Sequence, residues 1–451
     1  MSVKQALHIL MITLGCSKNT VDAECMTRIL ADDGNILTTN PLQADVIIVN
    51  TCGFIDQAKR EAIDTILAMA EYKNAPGHCQ FLVVTGCLPQ RYSKDILKEL
   101  PEVDAVVGTA HYGDIANVIR ALYRGGGMNS ESFVEGSGGI SHLREDRIVS
   151  TSTYAWLKIA EGCSNCCSYC AIPLIRGGYV SRSMDSILRE AEKLAEDGFS
   201  EIILTAQDTT RYGLDLYGKR RLPELIRRIS LFEGVQRIRI MYTYSDGVTD
   251  ELIREIAENP KVMHYLDMPV QHGDDAILKR MNRRDTAASI SETIGRLRAA
   301  IPDIVLRSTV LVGFPGETAS SFHNMFERLK EWRFDRLGCF VFSREEGTAS
   351  YDMTGRVRKD TAERRYAKVM EFQQELSLEL NRTRVGSIVD VTIESVSDDG
   401  IFYMGRSYAE APEVDPQIFV AAADEPLTIG QTYRVKLVDC SAYELTGVID
   451  T

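Results

Sequence analysis

Residues 155 to 170 read Ala155-Trp156-Leu157-Lys158-Ile159-Ala160-Glu161-Gly162-Cys163-Ser164-Asn165-Cys166-Cys167-Ser168-Tyr169-Cys170. An apolar run of strand character gives way to a loop with cysteines at 163, 167 and 170. A short loop with that spacing can wrap three thiolates around three irons of a four-iron cluster, leaving the fourth iron open to a substrate. Two rival readings exist. Isolated buried cysteines often serve as small hydrophobes, but four within eight residues form a cluster. The pairs Cys163/Cys166 and Cys167/Cys170 also have zinc spacing, yet structural zinc sites bring such pairs together from separated segments, and two abutting pairs would strain around a tetrahedral ion. Cys166 is the odd member and reads as a bystander.

Downstream of this strand the pattern repeats. Runs at 155–160, 201–205, 237–242, 265–270, 305–312 and 337–342 read as six strands separated by helices. Six right-handed βα units make a partial barrel whose functional face lies at the strand carboxyl ends. The cysteine loop lies on that face. Gln207 and Asp208 follow the second strand, Gln271 and His272 end the fourth, and Gly313, Gly316 and Glu317 follow the fifth. A helix is predicted over 361–383. Beyond it the period changes to five short strands at 389–393, 401–404, 418–420, 433–438 and 445–449, enough for a small antiparallel β-barrel.

Upstream, residues 9–13, 46–50, 81–85 and 103–107 read as strands and 21–33 and 57–72 as helices, predicting an open parallel α/β sheet covered on both faces. Cys16, Cys52 and Cys87 each follow one of the first three strands by two or three residues. In a parallel sheet these positions share the carboxyl edge, where such folds bind ligands. Three thiolates therefore converge from separate loops, as a second iron-sulfur site requires. Gly15, Gly53 and Gly86 beside them would admit a bulky cofactor. Cys25 and Cys79 lack this placement. The organisation expected is a sheet domain over 1–125, a Gly/Ser-rich linker over 126–150, the partial barrel over 151–382 and the small barrel over 383–451.

At 451 residues with 44% hydrophobic and 25% charged content, the chain is long enough for two or three globular domains. No signal peptide or membrane span is apparent, and eleven cysteines without an export signal imply a reducing compartment, the cytoplasm by default. From Thr383 onward 12 acidic residues face 4 basic ones, which accounts for -8 of the chain's -13. A module gripping an RNA backbone should be basic. The basic runs Lys219-Arg220-Arg221 and Arg283-Arg284 are the best candidates for an acidic or RNA surface.

The 163/167/170 triplet resembles the signature of radical S-adenosylmethionine (SAM) enzymes. With the three-cysteine edge and the terminal small barrel, the whole chain resembles the methylthiotransferases, in which the last module is called TRAM. Asn50-Thr51-Cys52-Gly53-Phe54-Ile55, Thr85-Gly86-Cys87-Leu88 and Gly313-Phe314-Pro315-Gly316-Glu317-Thr318 carry the likeness. Ala206-Gln207-Asp208-Thr209-Thr210-Arg211-Tyr212-Gly213 and Cys170-Ala171-Ile172-Pro173 resemble the branch that acts on an aspartate of small-subunit ribosomal protein twelve. Gly178-Tyr179-Val180 departs from that branch, where a proline-containing turn is expected.

The resemblance implies two 4Fe-4S clusters, one on Cys163, Cys167 and Cys170 and one on Cys16, Cys52 and Cys87. It implies two uses of SAM, as radical source and as methyl donor. The acceptor would be the β-carbon of that aspartate, free or on the ribosome, so that nucleic acid is met only through the ribosome. A flavodoxin or ferredoxin is the expected reductant. Tyr169, Gln207, Asp208, Gln271, Gly313, Gly316 and Glu317 are the expected SAM contacts, Tyr169 packing on adenine. Gln207 and Gln271 could equally satisfy loop backbone, and His272 reads as an orienting residue. No residue is assigned acid-base catalysis. Two other readings stay open: a transfer-RNA methylthiotransferase acting on isopentenyladenosine, disfavoured by the acidic tail, and a non-catalytic iron-sulfur protein.

Overall fold

A computed structural model describes residues 6–125, 133–421 and 426–450. The first unit holds strands β1 (His8–Thr13), β2 (Ile36–Leu37), β3 (Val46–Thr51), β4 (Phe81–Gly86) and β5 (Ala105–Val107) in a parallel sheet of order β2-β1-β3-β4-β5. Every residue of β3 is buried. The cause is the alternation of its apolar run: Val46 and Ile48 enter one core with Met26 and Leu30, while Ile47 and Val49 enter another with Ile66 and Ile96. Helices therefore cover both faces. The carboxyl edge is left for the cysteine loops.

The second unit begins with β6 (Tyr154–Lys158), followed by a small antiparallel pair, β7 (Ala160–Glu161) and β8 (Val180–Ser181). Strands β9 (Glu201–Thr205), β10 (Arg237–Ile240), β11 (Val262–Asp267), β12 (Val305–Val312) and β13 (Arg336–Val341) complete a six-stranded parallel sheet of order β13-β12-β11-β10-β9-β6. The outer strands β6 and β13 do not pair, so the barrel is partial. Ala155, Leu157, Ile202 and Leu204 pack outward under the helices. Trp156, Ile203, Met241 and Tyr265 form a separate cluster on the opposite face.

The third unit holds β14 (Ile388–Val396), β15 (Phe402–Arg406), β16 (Ile418–Ala421), β17 (Thr432–Cys440) and β18 (Leu445–Ile449), closed as β14-β15-β16-β18-β17. One correction to the expected antiparallel barrel is that β16 and β18 pair in parallel. With β17 lying between them in sequence but beside β14 in space, the chain returns in the same direction. The helix Lys359–Arg384 leads into this barrel.

Two further expectations change. Residues 126–132 of the expected linker lie outside the described residues, but the remainder is no loose connection. Phe133 O accepts from Gly108 N–H at 2.7 Å, His142 Nε2 meets Asp22 Oδ1 at 2.7 Å, and Arg147 joins Glu24 to Glu190. The acidity of the third unit is also partly internal. Glu410 pairs with Arg384 at 2.6 Å, Asp415 accepts from Tyr265 Oη at 2.6 Å, and Glu413 accepts from Trp156 Nε1 at 3.0 Å. These carboxylates dock the small barrel and contribute little to an outward field. Among the described residues no helix is long and apolar enough to cross a membrane.

The docking centres on Arg406, which is buried and bonds Glu201 at 2.9 Å and Glu394 at 2.6 Å, with Arg239 on the other Glu201 oxygen at 2.8 Å. Glu201 opens β9, so the small barrel sits at the amino ends of the barrel strands, opposite the cysteine loops. Arg406→Leu strands Glu394 and half of Glu201 without a cation. Breaking a buried pair from one side should cost about 3 kcal/mol. Urea unfolding should show a lower midpoint than the parent, with the small barrel separating first by limited proteolysis.

Candidate functional site

The three upstream cysteines stand on adjacent loops. Cys16 caps the helix Ser17–Asp32, Cys52 follows β3, and Cys87 opens the helix Cys87–Glu99 after β4. The glycines beside them have a more internal role than cofactor access. Gly15 and Gly86 take φ of +94 and +102, which disfavour any other residue. A Cβ at Gly15 would lie 2.8 Å from Cys52 Cβ, and one at Gly86 would lie 2.4 Å from Thr51 O. The missing side chains let the loops close on one another. Asn19 then ties them, its Nδ2 donating to Leu14 O at 2.9 Å and to Thr51 O at 3.0 Å, its Oδ1 accepting from the Cys87 thiol at 3.7 Å.

The electrostatics within this set are uneven. Burial opposes ionisation of Cys16, yet the charges of Lys18 and Arg176 and two backbone N–H groups outweigh it and hold its thiol below the ordinary value. Burial, with Cys87 and Cys16 adding to it, pushes Cys52 up to about 12. Cys87 is raised by burial as well, against the charge of Arg176.

The triplet loop is held from outside. Ser168 N–H donates to Met281 O at 2.9 Å, and Asn282 Nδ2 donates to Cys166 O at 2.8 Å. Cys163 and Cys167 are buried and Cys170 half-buried, whereas Cys166 is exposed with a left-handed φ of 54. Its thiol turns to its own loop, donating to Ser164 O at 3.7 Å. Burial pushes Cys163 up to about 11 and Cys170 above its ordinary value. Cys167 Sγ lies 3.6 Å from Tyr244 Oη. Among the described residues no three His, Cys, Asp or Glu side chains converge as a single ion requires. Cluster thiolates bind different irons and stand further apart than the ligands of one ion. The two sets also meet, because Cys87 packs on Ala171 and Ile175, just past Cys170.

The expected SAM contacts divide. Asp208 is buried with both oxygens engaged, one by Asn165 Nδ2 at 2.9 Å and one by Thr210 Oγ1 at 2.6 Å, so it supports the triplet loop. Glu317 accepts from Gly313 N–H and from Phe314 N–H (3.1 Å) and pairs with Arg365 at 3.1 Å. It builds its own turn. A Cβ on Gly313 would meet Ala362, and one on Gly316 would meet Arg280, so both glycines serve packing. Gln207 is half-buried, and Gln271 takes a φ of 67 where its backbone stitches to β12 through Thr309 and Leu311. The Tyr169 ring stands edge-on to Phe314. His272 is buried, held neutral by burial that pulls it down to about 4, with Nδ1 accepting from Asp274 N–H.

The basic candidates divide too. Arg283 is buried under Tyr244, 4.6 Å from the ring centroid, and pairs with Asp285 at 2.6 Å, so it cannot touch RNA. Its aromatic and carboxylate partners neutralise it inside the fold. Arg284 is half-exposed and bonds Asp246 and Asn165, Arg220 donates to Thr210 O, and Arg221 pairs with Glu224. Lys219 is exposed.

Sequence reasoning missed the charges beneath both sets. Arg176 Nη1 bonds Asp22 at 2.9 Å and Glu161 at 2.8 Å, while its Nη2 reaches Asn19 Oδ1. Lys158 Nζ bonds Asp22 at 2.6 Å and also pairs with Glu161. All four are buried. Burial opposes both carboxylate charges, and the two cations more than compensate, holding both below the ordinary range. The one available signal was single charged residues set among apolar or small neighbours, as in Leu157-Lys158-Ile159 and Ile175-Arg176-Gly177.

Comparison with known proteins gives a consistent assignment. Residues 8–108 match the family described as uncharacterized protein family UPF0004, residues 157–329 the radical SAM superfamily, and residues 385–449 the TRAM domain. Ribosomal protein uS12 methylthiotransferase RimO of Acetivibrio thermocellus is 47% identical over 97% of each chain. The protein of that name in Geobacter sulfurreducens is 45% identical over 97% of this chain and 98% of its own. Among solved structures, the radical SAM methyltransferase TsrM from Kitasatospora setae, with cobalamin and a [4Fe-4S] cluster, aligns with a TM-score of 0.60 at 13% identity, covering 77% of this chain and 74% of that one. It shares the fold.

The uneven electrostatics have a direct readout in metal-free protein. Cys16 holds the larger thiolate fraction below pH 9, and thiolate is the nucleophile. Iodoacetamide should therefore label Cys16 faster than Cys52, most selectively near pH 7 and less so as pH rises toward the Cys52 value. Peptide mass spectrometry measures both rates; equal labelling at pH 7 would contradict the assignment.

Proposed function

The chain belongs to the family of ribosomal protein uS12 methylthiotransferases, and on that premise we propose that it attaches a methylthio group to the β-carbon of an aspartate of uS12. The observation that carries this reading is identity of 47% running through all three units of the Acetivibrio thermocellus relative. Cys163, Cys167 and Cys170 would hold one 4Fe-4S cluster, and Cys16, Cys52 and Cys87 a second. What supports the pairing is chemical: each set offers three free thiols from converging backbone, and burial keeps most of them neutral until a metal's positive charge favours the thiolate. When bound, the clusters and SAM supply a radical able to remove hydrogen from an unactivated carbon and a sulfur that carries a methyl group.

The protein's own groups supply position and exclusion of water. Asn165, pinned by Asp208 and Arg284, keeps the triplet loop closed. Tyr244 and the buried Arg283 place a hydroxyl and a positive charge beside Cys167. Tyr169, Gln207 and Gln271 are the contacts we retain for SAM. Asp208, Gly313, Gly316 and Glu317 act one step behind them, by shaping the loops. The reductant is a flavodoxin or ferredoxin, and the cytoplasm, where ribosomes are, is the place of action.

Anaerobically reconstituted protein with dithionite and SAM should release 5′-deoxyadenosine and add one methylthio unit to the uS12 aspartate. It should leave isopentenyladenosine in transfer RNA unchanged. Cys167→Ala should abolish 5′-deoxyadenosine and lose about half the bound iron if two clusters are present. Cys166→Ala should keep both. Modification of transfer RNA in place of uS12 would overturn the reading.

A further inference from the structure

Two tyrosines just beyond β10 reach toward different thiol sets. Tyr244 Oη lies 3.6 Å from Cys167 Sγ, whereas the Tyr242 ring receives the ammonium of Lys18, 3.2 Å from its centroid. Lys18 is the second residue of the helix Ser17–Asp32, two beyond Cys16, whose thiol its charge stabilises in the ionised form. Its neighbour Ser17 touches Thr205 at the end of β9. The ammonium therefore stands at the seam where the upstream thiol edge faces the barrel mouth.

Lys18 is 3% exposed, and among the described residues no carboxylate lies within ion-pair distance of it. The nearby acids are taken. Asp22, one turn along the same helix, is shared by Lys158, Arg176 and His142. Asp267, which accepts from Tyr242 N–H at 3.1 Å, pairs with Arg307 at 2.8 Å. An aromatic face and the nearby Cys16 thiolate offset only part of an ammonium's lost hydration, so a buried lysine held this way lacks a carboxylate partner. The support is itself unusual: Tyr242 is held at a φ of 59, a conformation that costs energy outside glycine and gathers at functional sites.

Resting on the function proposed above, we propose that Lys18 binds the side-chain carboxylate of the acceptor aspartate and so selects that residue and orients its β-carbon between the two thiol sets. A carboxylate is the one group that separates an aspartate acceptor from its asparagine isostere and from an adenine base. A lysine left unpaired at the seam is complementary to it. The competing role for Lys18 is to compensate thiolate charge at Cys16, and the two make different demands on a variant.

The test uses reconstituted full-length protein with SAM, and two ligands: uS12 and uS12 with the acceptor aspartate replaced by asparagine. Wild-type protein should bind the aspartate form at least about tenfold more tightly. Lys18→Met should bring the ratio close to one while iron content, the electron paramagnetic resonance spectra of both reduced clusters and uncoupled 5′-deoxyadenosine formation stay at wild-type levels. Lys18→Arg should recover part of the preference. A preserved ratio in Lys18→Met, no preference in wild type, or loss of the cluster on Cys16, Cys52 and Cys87 would each overturn the assignment. Failure of the underlying function is distinguishable, since wild-type protein would then methylthiolate neither ligand.

Discussion

Two carboxylates and two cations, buried together between the first two units, fix the geometry on which the rest depends. Asp22 belongs to the helix that Cys16 caps, while Lys158, Glu161 and Arg176 belong to the strand end and short helix that flank the triplet. Taking four charges out of water costs several kcal/mol each, and only close mutual pairing offsets it. Here each carboxylate meets both cations. The same groups are rooted in the chemistry on either side: Arg176 also reaches Asn19, which touches Cys87, and Glu161 accepts from Gly162 N–H beside Cys163. Moving one thiol set relative to the other would break this bridge. A network of this kind is a costly way to gain stability and an effective way to fix a register, because no shifted arrangement satisfies it.

The far end of the barrel is treated in the same manner. Glu201 receives Arg239 and Arg406 at the amino ends of the strands, where the terminal barrel docks. Ion pairs therefore anchor both ends of the partial barrel, but with different outcomes. At the amino end Glu201 meets two arginines and the terminal barrel is docked over it. At the carboxyl end the pairing stops short of Lys18, beside the thiols.

Much of the fold was legible because its signals are periodic. The run at 201–205 and those at 305–312 and 445–449 coincide with strands residue for residue, since short β-branched and apolar runs bounded by turn residues have few other solutions. Cys16, Cys52 and Cys87 were placed on one edge by strand order alone. Less legible were residues whose role depends on partners distant in sequence. Arg283 beside Arg284 reads as a solvated basic pair, yet one is buried against Tyr244 and Asp285 and the other is not. Glu317 and Gly313 sit in a motif that looks ligand-facing, but Glu317 is held by the Gly313 and Phe314 N–H groups and by Arg365, and Gly313 lies against Ala362. Nor does a charge count distinguish Glu410, spent on Arg384, from an exposed acid.

The division of labour between the two thiol sets bears on where specificity can reside. On the proposed reading one thiol set would supply the radical and the other the sulfur, so both would have to open on the same small space. The rigid bridge of Asp22, Lys158, Glu161 and Arg176 is consistent with that need and leaves little of the frame free to vary. What remains adjustable is the lining of the seam, where Lys18 lies over Tyr242 and Tyr244 reaches Cys167. An enzyme built on this frame for a nucleobase would gain nothing from an unpaired ammonium there and would bear its desolvation cost. One built for an aspartate recovers that cost each time the acceptor enters, because the carboxylate supplies the missing ion-pair partner. Acceptor choice is thus set most economically by a few side chains at the seam, with the thiol sets and their supports unchanged.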